Sequence, residues 1–546
     1  MGKKIGIDLG TTYSCMSYVD SMGMVQIISN LEGDQTTPSV VFFDPDNAGE
    51  VVVGRTAKSA GGEHPECIVE RVKNFMGDPN YSFFADGTEY SATAVSTLIL
   101  QKLIKDAETA LGEDIEGAVI TCPAYFGEEA RNATKVAGEK VKLANGNNLV
   151  VFKILDEPTA AAIAYGNSRQ EDMDKTILIY DLGGGTFDCT VMKLSLHGDK
   201  KEMQVITTGG NHQLGGKDWD EALANLVREK FCAATDSDID DMRSDADSNA
   251  WFSENVEKAK QNLTSRTSTF LTPSFNFKKE RVEITVEEFE DVTSMLLDQT
   301  IFLVNDMLEK KGMNMATDID EIILVGGSTK MPQVSKRLTA EYNKPITSYE
   351  PDKAVAMGAA LVANGYEAVT EQVVNDIGEI EEVQVAKKVS GGSLTMASGP
   401  DIIEIVTKSY GLRIVSGGEY KVLNLILKDS VKPAHGSSVD HFPLTLTGNP
   451  ALISEIPILV LESDSLDELV ELDTCSAIYV EEPITFDGAV PGNNDVSVEM
   501  DIDENGILSL ALTDLVTGKT YRMKPRRNSD EANMKGLDEV LKKSIM

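Results

Sequence analysis

The chain has 546 residues, 41% of them hydrophobic and 25% charged, with a formal net charge of −38. Two to four domains fit in that length, and the composition is that of folded, soluble protein rather than disorder. So acidic a balance argues against nucleic acid or an anionic membrane as partner, because both call for basic surface. The cysteines (15, 67, 122, 189, 232 and 475) are scattered without a C-x-x-C pair. They read as buried small residues in a reducing compartment. Met1-Gly2-Lys3-Lys4 runs straight into a strand, and no signal peptide or long apolar run is visible. A cytoplasmic location is expected.

Ile5-Gly6-Ile7-Asp8-Leu9-Gly10-Thr11-Thr12 is an apolar strand, an aspartate and a glycine turn with two hydroxyls. Residues 25–60 predict short strands and turns. The segment 69–77 ends in glycine, and by composition its Lys73 is one more exposed lysine. Residues 91–111 place Val95, Leu98, Ile99 and Leu103 at the spacing of an amphipathic helix. A strand over 117–121 follows, then Cys122-Pro123-Ala124-Tyr125-Phe126 and a helix through Arg131. Alternating strands and helices predict α/β architecture. In residues 156–166, Asp156-Glu157-Pro158-Thr159 opens an alanine-rich helix whose small side chains permit close packing on a sheet. The opening pattern then recurs as Ile177-Leu178-Ile179-Tyr180-Asp181-Leu182-Gly183-Gly184-Gly185-Thr186-Phe187-Asp188.

Glycine lets backbone N–H groups approach an anion closely. One such turn closes many ordinary hairpins. Two in the same order predict a duplicated fold in which two hairpins clasp one nucleotide. Their aspartates cannot serve phosphate directly, but they can hold magnesium through water. The two stretches resemble the phosphate loops of the actin, sugar-kinase and heat-shock-70 ATPase superfamily. Residues 5–15 (IGIDLGTTYSC) and 156–166 resemble the heat-shock-70, or DnaK-type, chaperones in particular.

That resemblance implies an α/β actin-like ATPase domain, duplicated and two-lobed, over residues 1–365. It implies ATP or ADP with Mg2+, the ion held through water by Asp8, Glu157 and Asp181. The phosphates would lie against Gly10, Thr11, Thr12, Tyr13, Gly183, Gly184, Gly185 and Thr186. Lys73 would reach the γ-phosphate and Asp181 would orient water, with Asp188 helping through a K+ ion. Pro123 and Arg131 would relay nucleotide state between domains.

Further along, Gly215 and Gly216 resemble the family's loop beside the ribose. His212 reads as a surface or packing histidine, because no second metal-type residue sits at ligand spacing. Residues 234–248 are acidic and predict a solvated helical face or loop. Residues 257–264 read locally as an exposed helix. The resemblance makes Glu257, Lys260 and Thr264 one wall of the adenine pocket. Opposite it, 321–332 is a buried strand, the Gly326-Gly327 turn and a helix start at Ser328, a combination suited to anions and ribose. Lys330 stands where many members carry arginine, whose plane stacks better on adenine, so weaker nucleotide affinity is expected. A family-like stretch containing Asp352 closes the domain.

Residues 366–406 are acidic, then Ser/Gly-containing, and predict an extended connection and linker. Asp401-Ile402-Ile403-Glu404-Ile405-Val406 sits where the family keeps an apolar linker that docks as an added strand. Glu404 interrupts it, and a buried unpaired glutamate would oppose docking. Residues 407–523 predict an all-β sandwich, and the hairpin over 496–514 resembles the last one of the family's peptide-binding domain. The resemblance offers Leu412, Val415, Phe442, Ile456 and Ile458 as peptide-cleft residues. Plain sandwich core is the other reading of each. Residues 524–546 predict a short tail with one helix over 530–543, lying free, in a neighbour's cleft or in its own. The family's helical lid has no counterpart here, so fast peptide release is expected.

The resemblance covers 3–365 strongly, 407–523 moderately, and the linker and tail poorly. It implies an ATP-driven chaperone for unfolded polypeptide, served by a J-domain co-chaperone and a nucleotide-exchange factor. Lys153-Ile154-Leu155-Asp156 departs from the family's usual Arg-Ile-Ile-Asn, which points to altered partner choice. Two other readings stay open: a nucleotide-switched scaffold with little client folding, and a small-molecule kinase of the same superfold.

Overall fold

A computed structural model describes residues 2–545 except 48–49, 62–63, 170–172, 198–199, 375–379, 390–400, 417, 438–441, 444–454, 479–481, 486–494, 516–517, 524–533 and 541. Two sheets of the same plan form its N-terminal part. In the first, the strands run in the order Val151–Asp156, Ile115–Cys122, Lys3–Asp8, Tyr13–Val19 and Val25–Ile28. In the second, the order is Ile346–Ser348, Glu321–Val325, Met173–Leu182, Phe187–His197 and Lys200–Asn211. Each glycine turn thus joins an antiparallel pair whose first strand also pairs in parallel with a neighbour.

The alanine-rich helices Glu157–Asn167 and Ala354–Ala363 lie between the lobes and pack on each other. A Cβ at Gly358 would sit 1.8 Å from the Ala160 carbonyl oxygen. The contact is therefore backbone to backbone, which larger side chains would forbid. The amphipathic helix expected over 91–111 is Ala92–Leu111, capped by Ser91, whose hydroxyl accepts from the Ala94 N–H.

Two stretches differ from expectation. Residues 366–388 hold a hairpin rather than a bare connection. Tyr366–Val374 pairs antiparallel with Ile380–Lys388, and Phe152 stacks on Tyr366 at its base. Among the described residues of the tail, Leu537–Val540 is a helical turn and Ser544–Ile545 a short strand that joins the first lobe, while residues 530–533 and 541 of the expected helix lie outside the described residues.

Among the described residues, the C-terminal β-domain has two larger sheets and a two-stranded one, Glu455–Ile458 with Glu482–Thr485. One of the larger two contains Leu469–Glu471, Glu419–Ile426, Ser409–Ser416, Val460–Ser463 and Ser476–Ala477. The other contains Ala434–Ser437, Asp495–Ile502, Leu508–Asp514 and Thr520–Met523. Tyr410, Leu412, Val460, Val498, Met500, Leu510 and Leu512 share one core between them. Leu412 thus lies in the domain core. The side chains of Val415, Phe442, Ile456 and Ile458 fall outside the described residues.

Candidate functional site

Between the lobes is a cleft of about 900 Å³, lined by Asp8, Gly10, Thr11, Thr12, Tyr13, Lys73, Glu157, Asp181, Gly183, Gly184 and Thr186 from its floor. Glu257, Lys260, Thr264, Gly326, Gly327, Ser328, Lys330 and Asp352 line its far end. The two glycine turns touch. A Cβ at Gly184 would fall 2.0 Å from Thr12 Oγ1, and one at Gly185 would fall 2.6 Å from Thr11 Cγ2. Gly215 and Gly216 stand directly behind the second turn, where the Gly216 N–H donates to the Gly183 carbonyl (2.9 Å). Ser328 Oγ donates to the same oxygen (2.9 Å).

Lys73 is buried and ion-paired with Glu157. Composition made it a surface lysine, and the resemblance made it a cleft residue. Its place is in the cleft. Asp8 is pushed up to about 7 by burial, reinforced by the Glu157 charge. Burial and the neighbouring carboxylates also push Asp181 and Asp188 well above the carboxylate range. Asp188 Oδ1 is sealed from solvent without a hydrogen-bond partner. Ionising all four carboxyl groups around one ammonium would leave an excess of negative charge, a cost that helps raise the aspartates and that a cation would offset. Among the described residues, no three metal-ligating side chains converge as a ready-made cage. A donor set made of carboxyl oxygens suits a hard cation.

At the far end Lys260 donates to the Gly216 carbonyl (2.9 Å) and pairs with Asp220 (2.9 Å). It is buried, unlike the exposed helix side expected of it. Lys330 pairs with Asp352 and is half exposed. The sequence reading missed Lys58. Its Nζ reaches across the cleft to Glu257 Oε2 at 2.6 Å and lies over the Tyr13 ring. Nothing local marks it, because the partners are 199 residues apart in sequence. His212 packs against the Tyr125 ring.

A second polar cluster joins the domains. The segment Asp401–Ile403 adds a parallel strand to the second-lobe sheet, with Met203 opposite Ile402. Glu404 follows, 3% exposed, and its Oε2 meets Lys153 Nζ at 2.6 Å. It is therefore buried and paired, which corrects the expectation that it would oppose docking. Burial alone would raise its carboxyl, but Lys153 and Lys432 together hold it below its usual value. Arg131, fully buried, pairs with Asp156 (2.5 Å) and donates to the Phe126 and Ala124 carbonyls beside Pro123. Lys432 of the β-domain faces Asp156 Oδ2 at 3.7 Å. Asn505 Oδ1 accepts from the Ile154 N–H (3.1 Å). The unusual Lys153 and Asp156 are thus counter-charges to the unusual linker and to the β-domain.

Comparison with known proteins agrees with this geometry. The Hsp70 protein family model matches residues 4–395. Proteins named "Chaperone protein DnaK" from two strains of Halobacterium salinarum (R1 and NRC-1) are each 37% identical over 397 residues. These matches cover 71% of this chain and 60% of each relative. The matched part thus spans about 60% of the length of those curated relatives. The chain belongs to the Hsp70 family, and its N-terminal part fits that family's mixed α/β, actin-like ATPase domain.

Proposed function

Within that family, we propose that this chain is a slow ATPase whose nucleotide state sets the grip of the β-domain on extended apolar polypeptide. One observation carries the reading: the two touching glycine turns lie over Lys73 and a group of buried carboxylates, in the same chain as a linker docked as a strand. Asp8, Glu157 and Asp181 would hold the waters of a magnesium ion, which when bound supplies charge neutralisation at the phosphates. Backbone N–H groups and hydroxyls of Gly10–Thr12 and Gly183–Thr186 would cradle the phosphate oxygens. Lys73, released from Glu157, would offset charge on the transferring oxygens, and Asp181 would orient the attacking water. Asp188 would hold a potassium ion behind the second turn. Glu257, Lys260, Thr264, Gly326, Gly327, Ser328, Lys330 and Asp352 would enclose the nucleoside.

The β-domain is read as a sandwich that binds unfolded polypeptide through residues among Val415, Phe442, Ile456 and Ile458; Leu412, buried in the core, is not one of them. A J-domain protein and an exchange factor are the expected partners, in the cytoplasm. Among the described residues, no helix is long and apolar enough to cross a membrane. Single-turnover hydrolysis of ATP, with and without an apolar heptapeptide, tests the proposal. Peptide-stimulated release of phosphate is expected. Bound ATP that is never cleaved would leave a scaffold, and cleavage only on adding a metabolite would leave a kinase.

A further inference from the structure

Residues 534–540 and 542–545 seat on the first lobe. Leu537 and Val540 are buried against the helix Ala92–Leu111, and Ile545 joins the same core. The Ser91 N–H donates to the Lys535 carbonyl (3.1 Å), and Lys105 Nζ donates to the Ile545 carbonyl (2.8 Å). Lys535 pairs with Glu89 (3.0 Å) and Lys543 with Asp86 (2.5 Å), the latter ammonium lying near the Phe43 and Tyr90 rings. Gly536 passes so close to Tyr90 that a Cβ would meet its ring at 2.7 Å, with φ at +76°. Apolar anchors, ion pairs and a tailored glycine therefore all fit one surface.

The strand Ser544–Ile545 pairs in parallel with Glu50–Val53, setting Ile545 opposite Val51. It takes the outer edge of that small sheet. Glu50–Val53 runs through Gly54 directly into the helix Arg55–Ala60, and that helix carries Lys58, the residue bridging the cleft to Glu257. We propose that the described tail residues, 534–540 and 542–545, are a built-in strap that braces this edge of the first lobe and so holds the cleft closed over its ligand. A free strand edge frays, whereas an added strand fixes its N–H and C=O groups. Unseating the strap should free Glu50–Val53, and with it the Lys58 bridge.

The consequence for the ligand rests on the nucleotide reading above, but the brace itself does not. Full-length Leu537→Asp/Ile545→Asp protein tests it by hydrogen exchange over residues 50–60, alongside release of a fluorescent ADP. Both should speed up by about tenfold, the effect of losing roughly 1.4 kcal/mol of bracing. A synthetic peptide of residues 534–545 should slow them again. Lys543→Ala is the milder variant should the double one not fold, and its effect should have the same sign. Unchanged exchange over 50–60 with the strap freely exchanging would overturn the brace. So would a strap that exchanges freely in the parent chain. Protection that vanishes on dilution would assign the seat to a second copy and refute the intramolecular strap. Failure of the parent to bind ADP would sink the nucleotide reading, while hydrogen exchange would still decide the strap.

Discussion

Replacing Glu404 by leucine makes the linker resemble an uninterrupted apolar strand, and linker pattern alone would have it dock more tightly. The structure reverses that sign. In the docked state Lys153, Lys432 and Arg131 are buried beside two carboxylates, Glu404 and Asp156. Glu404→Leu leaves three buried cations facing one. Removing one partner of a buried pair typically costs about 3–5 kcal/mol, because the other charge stays desolvated. In the undocked state these groups regain water, so the cost falls on docking and corresponds to about a hundredfold or more in its equilibrium. Glu404→Leu combined with Lys153→Met should recover most of the loss, since an apolar pair in place of a buried ion pair is often neutral or better. Energy transfer between dyes on the second lobe and the β-domain reads docking, and hydrogen exchange at residues 402–406 checks it. If Glu404→Leu docks as tightly as the parent, the pair contributes nothing to docking and the reasoning fails.

Lys73→Ala should still bind ATP and lose hydrolysis by about a hundredfold, the scale of one lost charge-stabilising donor; single-turnover rates equal to the parent would remove Lys73 from the chemistry. Lys58→Ala breaks the bridge to Glu257 and should speed release of labelled ADP by a few-fold, about the worth of a part-buried ion pair, whereas slower release would contradict a closing role. Glu462 has its Oε2 sealed from solvent, and a Cβ at Gly127 of the first lobe would meet that oxygen at 2.6 Å. Burial pushes this carboxyl up to about 7, so docking takes up a proton: it strengthens as pH falls from about 7 towards the ordinary carboxylate range and weakens as pH rises through 7. Glu462→Gln should flatten that profile, and an unchanged slope would place the proton elsewhere.

The turns, the carboxylates and the Gly326-Gly327 corner were legible because their chemistry is local: a strand, a glycine, a hydroxyl. The duplication of the two sheets followed from the repeat. Charge pairing was not legible. The sequence displays Glu404 as a flaw in an apolar run and Lys153 as a departure from a motif, but only the fold sets them 2.6 Å apart. Lys58 and Glu257 were hidden in the same way. The hairpin over 366–388 had a signal, the alternation in Val383-Gln384-Val385-Ala386, that acidic composition obscured. Of the helix expected over 530–543, residues 530–533 and 541 lie outside the described residues, and the described turn Leu537–Val540 is too short to hold by itself in water. What orders it is the tertiary seat of Leu537, Val540 and Ile545.

Asp156 and Glu157 are consecutive residues with opposite duties. Asp156 ends the strand Val151–Asp156 and faces Arg131 and Lys432 on the β-domain side, whereas Glu157 opens the next helix and holds Lys73 on the cleft side. A phosphate that drew Lys73 away would leave Glu157 to other charges one peptide unit from Asp156. Coupling between the sites then needs no long chain of contacts. It needs one strand end with two arrangements, biased from one side by phosphate charge and from the other by the Lys153–Glu404 pair. Spatial proximity alone does not establish such coupling. Here the covalent distance between the two buried charge clusters is a single residue. On the nucleotide reading proposed above, a charged linker can take the place of an apolar one, because its docking rests on the Lys153–Glu404 pair as the cleft rests on Lys73–Glu157.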